Sequence, residues 1–171
     1  SAMSSVQVVA LDSRMGPLLE AKNTLTSPEL ICARPELICA RAELICARAE
    51  ALPFSSDSFD LVFTQCALLW MNIKSVLPEI HRVLAPSGVL LALEPDYGAM
   101  IEYPPQTSLA PLWLSAISRS GGHPTLARSL PQELHSLGFS LRVELIPELR
   151  APSPARFSFL EELELTPEER E

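Results

Sequence analysis

The chain has 171 residues and a formal net charge of −8, with 47% hydrophobic and 20% charged residues. This length and composition predict one globular domain with a sizeable core. The negative charge argues against a nucleic acid backbone or an anionic membrane surface as a partner. No apolar run approaches the roughly 20 residues of a membrane-spanning helix. The N-terminus has neither the basic nor the apolar region of a signal peptide, which predicts a cytoplasmic protein.

Strand-like and helix-like segments alternate over the first 95 residues. VQVVALD (6–12), FDLVFTQ (59–65) and VLLALEP (89–95) are continuous apolar runs, typical of strands buried on both faces. RMGPLLEAKN (14–23) contains helix formers, and the apolar residues from Leu68 to Leu84 follow the 3.6-residue period of an amphipathic helix, which PSG is expected to end. This alternation predicts an α/β fold with a mostly parallel sheet and helices on both faces.

The second half of the chain has a different character. Residues 109–119 are apolar and predicted to be helical, and a second predicted helix stops at Gly138. SLRVELIPEL (140–149) is strand-like, and we expect VELIP antiparallel to an edge of the sheet. Residues 157–171 are expected to begin an element that the chain is too short to complete.

Between the first two predicted strands, the unit E-L-I-C-A-R occurs three times with a seven-residue period. In a strand, such a unit changes faces at every copy, whereas a helix keeps it on one face with a drift of about 20° per unit. Pro35 opposes a continuous helix at a cost of roughly 3 kcal/mol. If ELICA (43–47) is a strand, removal of two copies leaves a connection of about six residues, a common length. We therefore interpret residues 29–42 as a tandem-repeat insertion, with only the last copy in its native role.

The four cysteines do not predict a metal site. Cys32, Cys39 and Cys46 are seven residues apart because the repeat places them there, and Cys66 lies alone in an apolar run. None has the C-x₂-C spacing of a zinc site. We expect reduced, buried thiols.

One stretch resembles a known family. AEALPF, then SFDLVF, then EIHRVLAPSG and a following apolar strand occur in order within residues 49–98. In this order and spacing they are similar to the core of the class I S-adenosylmethionine-dependent methyltransferases of the small-molecule kind. VVALD and the helix after it resemble the second strand and following helix of that family. The resemblance implies a Rossmann-like fold over roughly residues 6–150. Residues 1–3 resemble a cloning remnant, so the expected boundaries are 4–150 for a partial methyltransferase domain and 151–171 for a C-terminal tail.

The resemblance implies where S-adenosylmethionine would bind. Asp12, followed by Ser13, ends the strand whose carboxylate accepts the ribose hydroxyls in such folds; the alternative is that Asp12 is a helix N-cap. Arg48 replaces an acidic or polar residue of the family, which leaves Ala49 and Glu50 as the expected adenine contacts. Gln65 takes the place that lines the pocket near the methionine part, or is simply a polar strand end.

The printed sequence departs from the family before Val6. Family members have a strand and a glycine-rich loop there, and glycine lets the backbone approach the cofactor closely. That strand is also the central one in the family. We therefore expect a first strand and glycine-rich loop to be missing, and unpaired strand edges to remain. Segment 27–42 or these edges are then expected to pack against a partner chain, which makes the protein a homo-oligomer.

Two functions remain open at this point. The first is methyl transfer from S-adenosylmethionine to a small-molecule acceptor, in which the protein mainly supplies proximity and alignment. No catalytic residue is identifiable, but Asp96, Tyr97 and His123 are candidates for binding or activating the acceptor, or are ordinary loop residues. The second is a truncated or decayed methyltransferase domain that acts as an interaction module. An NAD-dependent dehydrogenase is a third interpretation, but the chain has no G-x-G-x-x-G motif.

Overall fold

A computed structural model of the chain describes residues 7–25, 42–101, 108–145 and 154–170. Two single 3-10 turns, Leu68–Trp70 and Tyr97–Ala99, accompany the regular elements. None of the described helices is long and apolar enough to cross a bilayer. In chain order the strands and helices are β1 Val8–Asp12, α1 Met15–Leu25, β2 Ala42–Cys46, β3 Phe59–Gln65, α2 Ile73–Val83, β4 Leu84–Leu93, α3 Ala110–Arg119, α4 Leu126–Ser136 and α5 Pro154–Glu161.

The four strands of the described residues form two parallel pairs. β1 pairs with β2, and β3 pairs with β4. This confirms the α/β class and the predicted parallel arrangement of the strands. The expectation of one continuous sheet is wrong for the described residues, where each sheet has two strands. The physical reason is that no described strand lies between β1 and β3 to bridge them.

The third copy of the repeat forms a strand. β2 covers Ala42–Cys46 and pairs along its whole length with β1, from Val8↔Ala42 to Asp12↔Cys46. The prediction that ELICA is a strand is therefore confirmed, with a shift of one residue. The two preceding copies lie outside the described residues.

The junction between α2 and β4 differs from the prediction. The helix ends at Val83, and β4 begins at once with Leu84, which is extended at φ −73° and ψ 132°. The expected PSG turn is part of the strand, with a shift in register between Phe59 and Leu61 on the partner strand. A Cβ on Gly88 would lie 2.9 Å from the Phe59 carbonyl oxygen. Glycine is used here because the two backbones approach too closely for a side chain.

The strand predicted within residues 140–149 is absent where the structure describes it. Residues 141–145 have no regular secondary structure, and residues 146–150 lie outside the described part. The prediction of an antiparallel VELIP strand is wrong for residues 143–145. Val143 is 64% and Leu145 86% exposed, so their apolar alternation meets no sheet among the described residues.

The core lies on one face of the β3–β4 sheet. α2 buries the residues of its predicted apolar stripe there, among them Val76 and Leu77, against Trp113 and Ile117 of α3. Alternate strand residues such as Val62 and Leu90 pack against this core. The opposite face of the same sheet is open within the described residues, although helices were expected on both faces; Leu61, Phe63, Val89, Leu91 and Leu93 are 41–56% exposed there.

The C-terminal segment belongs to the same core. Leu160 and Leu163 are 8% and 5% exposed and lie in the main hydrophobic cluster. Arg119 of α3 forms an ion pair with Glu169, and its Nε donates to the Glu164 carbonyl oxygen at 2.8 Å. The segment expected as a tail therefore packs as an integral part of the domain.

Candidate cofactor-binding site

The carboxyl edge of the β1–β2 pair brings together several predicted site residues. The amide of Ala47 donates to the Asp12 carbonyl oxygen at 3.1 Å, and the Cys46 thiol lies 3.7 Å from the Ser13 carbonyl oxygen. The parallel register thus places Asp12 and Ser13 beside the start of the segment that carries Ala49 and Glu50.

The Asp12 carboxylate is accessible at this edge. Its Oδ1 accepts a hydrogen bond from the Arg14 amide at 2.7 Å, and its side chain is 32% exposed. Because α1 begins at Met15, Asp12 lies two residues before the N-cap position and is not the cap of that helix. Within the described residues Oδ2 has no hydrogen-bond partner, so it remains able to accept hydrogen bonds from hydroxyl groups of a ligand.

Glu50 is held by the arginine that departs from the family pattern. Arg48 Nε and Nη2 lie 3.3 and 3.4 Å from the two carboxylate oxygens of Glu50. The hydrogen bond from Arg48 lowers the pKa of Glu50, so this carboxylate is ionised at neutral pH. Ala49, between them, is half-buried and packs against the core.

Gln65 lies at the carboxyl edge of the other pair. It is the last residue of β3, is exposed, and is in register with Leu93 of β4. The next residue, Cys66, has a φ of +50°, a left-handed conformation that is uncommon for a non-glycine residue. The prediction of buried thiols is wrong for the two described cysteines, since Cys46 and Cys66 are exposed. Partial desolvation, and then the charge of Glu94, raise the pKa of the Cys66 thiol. The thiol is therefore protonated at neutral pH and is a poor nucleophile.

Glu94 fixes the turn that follows this edge, a role that the sequence did not reveal. Its carboxylate accepts hydrogen bonds from the backbone amides of Ala67 and Leu68 at 3.2 and 3.1 Å, with a longer one of 3.4 Å from Leu69. These amides open the 3-10 turn that carries Trp70, whose indole is 37% exposed. A carboxylate directly after an apolar strand was the available signal.

The Asp96 carboxylate forms an ion pair with Arg128 of α4. Its two carboxylate oxygens accept from Arg128 Nε and Nη2 at 2.7 and 2.8 Å, and Oδ1 also accepts from the Gly98 amide at 3.0 Å. The Arg128 hydrogen bond lowers the pKa of Asp96. This arrangement favours a role in holding the loop after β4 over a role as a general base.

Tyr97 and His123 lie on two loops that are joined to each other at the same end of the sheet. The Tyr97 amide donates to the Pro124 carbonyl oxygen at 2.9 Å, and the His123 amide donates to the Leu69 carbonyl oxygen at 2.7 Å. The Tyr97 ring stacks on Trp113, with centroids 5.6 Å apart. His123 is exposed. The structure therefore brings the three residues predicted to bind the methyl acceptor near one another, beside the turn that follows Gln65.

The described residues fit the adenosyl part of S-adenosylmethionine. An accessible carboxylate oxygen on Asp12 suits ribose hydroxyls, and the ionised Glu50 suits an amino donor such as that of adenine. A cleft of about 370 Å³ lies between β2 and α1 and reaches Cys46 at this edge. Its lining of Met15, Leu18, Leu19, Lys22, Leu44 and Cys46 is mostly apolar, so it does not suit a ribose.

Comparisons with known proteins agree with this picture. The family described as "Methyltransferase domain" matches residues 2–92. Over 51 residues the chain is 48% identical to malonyl-(acyl-carrier protein) O-methyltransferase of Alcanivorax borkumensis. This match covers 30% of this chain and 18% of that protein. Over 120 residues it is 29% identical to the Homo sapiens protein named arginine-hydroxylase NDUFAF5, mitochondrial, covering 66% of this chain and 33% of that protein. The chain thus matches between about a fifth and a third of the length of these relatives.

Solved structures show the same fold. A SAM-dependent methyltransferase from Methanosarcina mazei superposes with a TM-score of 0.65 at 19% identity, covering 86% of this chain and 76% of that one. The (4+2)-cyclase SpnF superposes with a TM-score of 0.55 at 22% identity, covering 80% and 43%. At these identities the likeness concerns the fold alone.

Proposed function

The chain belongs to the methyltransferase-domain family with the class I S-adenosylmethionine-dependent fold, and from this we propose that it takes part in methyl transfer from S-adenosylmethionine to a small-molecule acceptor. The observation that supports this most is the meeting of Asp12 and Ser13 with the segment that carries Glu50, at the carboxyl edge of a parallel strand pair. Ligands of open α/β sheets bind outside the carboxyl ends of the strands.

Each residue of the site has a proposed task. Asp12 accepts the ribose hydroxyls, while Ala49 and Glu50 face the adenine and Gln65 faces the methionine part. When bound, the cofactor supplies an electrophilic methyl group on its sulfonium. The protein then contributes mainly by holding cofactor and acceptor in line, which is worth several orders of magnitude in rate.

The acceptor is proposed to bind between the loops that carry Tyr97 and His123. Tyr97 packs on the core through its ring, and exposed His123 is available for a hydrogen bond to the acceptor. The acceptor is not fixed by similarity. One relative is named for a malonyl-carrier substrate, another for arginine hydroxylation, and a structural neighbour for cyclisation. A shared fold does not imply a shared reaction.

A second candidate is a non-catalytic interaction module. It is favoured by the open face of the β3–β4 sheet, where large apolar side chains such as Phe63 and Leu91 are 54% and 53% exposed. Apolar patches of this kind often mark interaction surfaces. In this interpretation the site residues preserve packing, and S-adenosylmethionine does not bind.

Calorimetry with S-adenosylhomocysteine separates the two candidates. We expect the parent to bind, and Asp12→Ala to weaken binding by about 1–3 kcal/mol, the range for the loss of charged hydrogen bonds. Asp60→Ala is the matched control, because Asp60 is an exposed aspartate on β3, and it should bind like the parent. Equal affinity for Asp12→Ala and the parent would remove Asp12 from the site. No binding by the folded parent would favour the interaction module.

A further inference from the structure

Arg82, at the end of α2, binds the backbone of the loop between β2 and β3. Its Nη1 donates to the Phe54 carbonyl oxygen at 2.7 Å, and its Nη2 donates to the Leu52 carbonyl oxygen at 3.0 Å. The same guanidinium contacts both carboxylate oxygens of Glu79, one turn earlier, at 2.8 and 2.7 Å. One side chain thus joins two loop carbonyls to α2.

Glu79 completes the contact from the other side. Its Oε2 accepts the amide of Leu52 at 2.8 Å. Together the two side chains bind both the amide and the carbonyl of Leu52, and we call this unit the Glu79–Arg82 clamp. The fork of an arginine guanidinium can make these bonds at once, whereas the single ammonium of a lysine cannot reproduce their geometry.

The clamp binds the loop that connects the two strand pairs. Within the described residues, β1–β2 and β3–β4 are separate sheets. The loop that joins them begins at Ala47 and carries Ala49 and Glu50, two to three residues before Leu52. At its other end, the amides of Asp57 and Ser58 donate to the Arg82 and Val83 carbonyl oxygens at 3.0 and 2.8 Å. The end of α2 therefore anchors this loop on both sides.

We propose that the Glu79–Arg82 clamp is a positioning device that sets the Asp12–Glu50 edge relative to the Gln65 edge. It rests on the proposed function, since a ligand that spans both edges needs them at a fixed separation. Neither side chain is proposed to touch the ligand. This role unites two sequence motifs, A-E-A-L-P-F and E-I-H-R, as halves of one structural unit.

The test compares two ligands in matched variants. Under this proposal S-adenosylhomocysteine reaches both edges, whereas adenosine reaches only the Asp12–Glu50 edge. Arg82→Lys and Glu79→Gln weaken the clamp with little change in size. Arg119→Lys is the control, because the Arg119–Glu169 pair is 34% and 23% exposed, close to the 34% and 22% of Arg82 and Glu79, and Arg119 also holds a backbone carbonyl.

We expect both clamp variants to bind S-adenosylhomocysteine about tenfold more weakly or worse, since small misplacements of a site cost factors of this size. Adenosine affinity should stay within about twofold, as should both affinities of Arg119→Lys. An equal loss for both ligands, or no loss, would overturn the proposal. Should Arg82→Lys fail to fold, Glu79→Gln alone decides.

Amide hydrogen exchange gives a readout that does not depend on ligand binding. The Leu52 amide should exchange about tenfold or more faster in Glu79→Gln, because its acceptor is weakened. Unchanged exchange at Leu52 would overturn the proposal even if the parent bound no ligand. If the parent binds no ligand but the Leu52 amide exchanges faster in Glu79→Gln, the proposed function is contradicted. The clamp then only anchors the loop, and its proposed role in the site is overturned as well.

Discussion

The ring of Phe159 stacks on that of Trp113, with centroids 5.9 Å apart and an interplanar angle of 18°. The ring of Trp70 meets the same phenylalanine in a T-shaped contact, with centroids 6.3 Å apart. Phe159 belongs to α5, Trp113 to α3, and Trp70 to the turn beside the candidate site. The C-terminal segment thus supports the base of that turn through aromatic contacts.

Phe159→Ala should destabilise the fold by about 3 kcal/mol, through lost burial and lost stacking. Phe63→Ala is the matched control, because Phe63 is 54% exposed on the open face of β3; its effect should stay within about 0.5 kcal/mol. Urea denaturation of both variants measures the difference. Equal destabilisation by the two substitutions would show that the C-terminal segment adds nothing to the core.

Gly122→Ala should destabilise the protein by about 1–3 kcal/mol through overpacking. A Cβ at this position would lie 2.7 Å from Trp70 Cζ3 and 2.7 Å from Ile117 Cγ2. The exposed Trp70 should shift, which changes the fluorescence emission. Gly16→Ala is the control, since a Cβ there meets nothing within 4 Å. Because Gly16 lies in the first turn of α1 and precedes Pro17, the effect should stay within about 0.5 kcal/mol. Unchanged stability and emission in Gly122→Ala would contradict the packing described.

The clamp predicts a specific pH dependence. Hydrogen bonds from Arg82 and the Leu52 amide lower the pKa of Glu79 from 4.5 to about 2. Because the folded-state pKa is lowered, Glu79 stabilises the fold fully above its unfolded pKa, and this contribution is lost as the pH falls toward the folded value. The stability difference between the parent and Glu79→Gln should therefore be largest near pH 7 and shrink from about pH 5 to pH 3.

Urea denaturation across this pH range measures that difference. Glu133→Gln, at an exposed position of α4, is the control for the substitution itself. If the stability difference between the parent and Glu79→Gln is constant with pH, folding does not lower the pKa of Glu79.

Self-association remains a prediction from the sequence. Among the described residues each sheet has two strands, so one edge of β1 and one edge of β3 present backbone N–H and C=O groups that can pair with another strand. We expect light scattering to give a dimer or a larger assembly. Deletion of residues 29–42 tests whether the repeat takes part in it. A stable, well-folded monomer for both proteins would exclude this prediction.

The local elements of the fold were predictable because their patterns are strong. FDLVFTQ forms β3 with the predicted bounds, and the apolar stripe of α2 buries Ile73, Val76, Leu77, Ile80 and Val83 as the helical period requires. The strand predicted within residues 140–149 does not form at residues 141–145, since alternation indicates a strand only where a neighbouring strand is available to pair. That neighbour is a tertiary property, which a local pattern does not contain.

The candidate site was predictable in its parts but not in its connections. Asp12 and Gln65 end strands and Glu50 follows one, and the carboxyl ends of parallel strands point the same way. Arg82 was visible only as a basic residue at a helix end. Its partners, the Leu52 and Phe54 carbonyl oxygens, precede it by 30 and 28 residues. Backbone acceptors of this kind have no signature in a sequence.

Amide chemical shifts during a titration with S-adenosylhomocysteine test the central claim most directly, because they report where the ligand binds. The account predicts shifts that saturate together at residues 12–13, 47–50 and 65–66, the two carboxyl edges. Shifts confined to the cleft beside α1, at Leu18 and Leu44, or no shifts at saturating ligand, would contradict it.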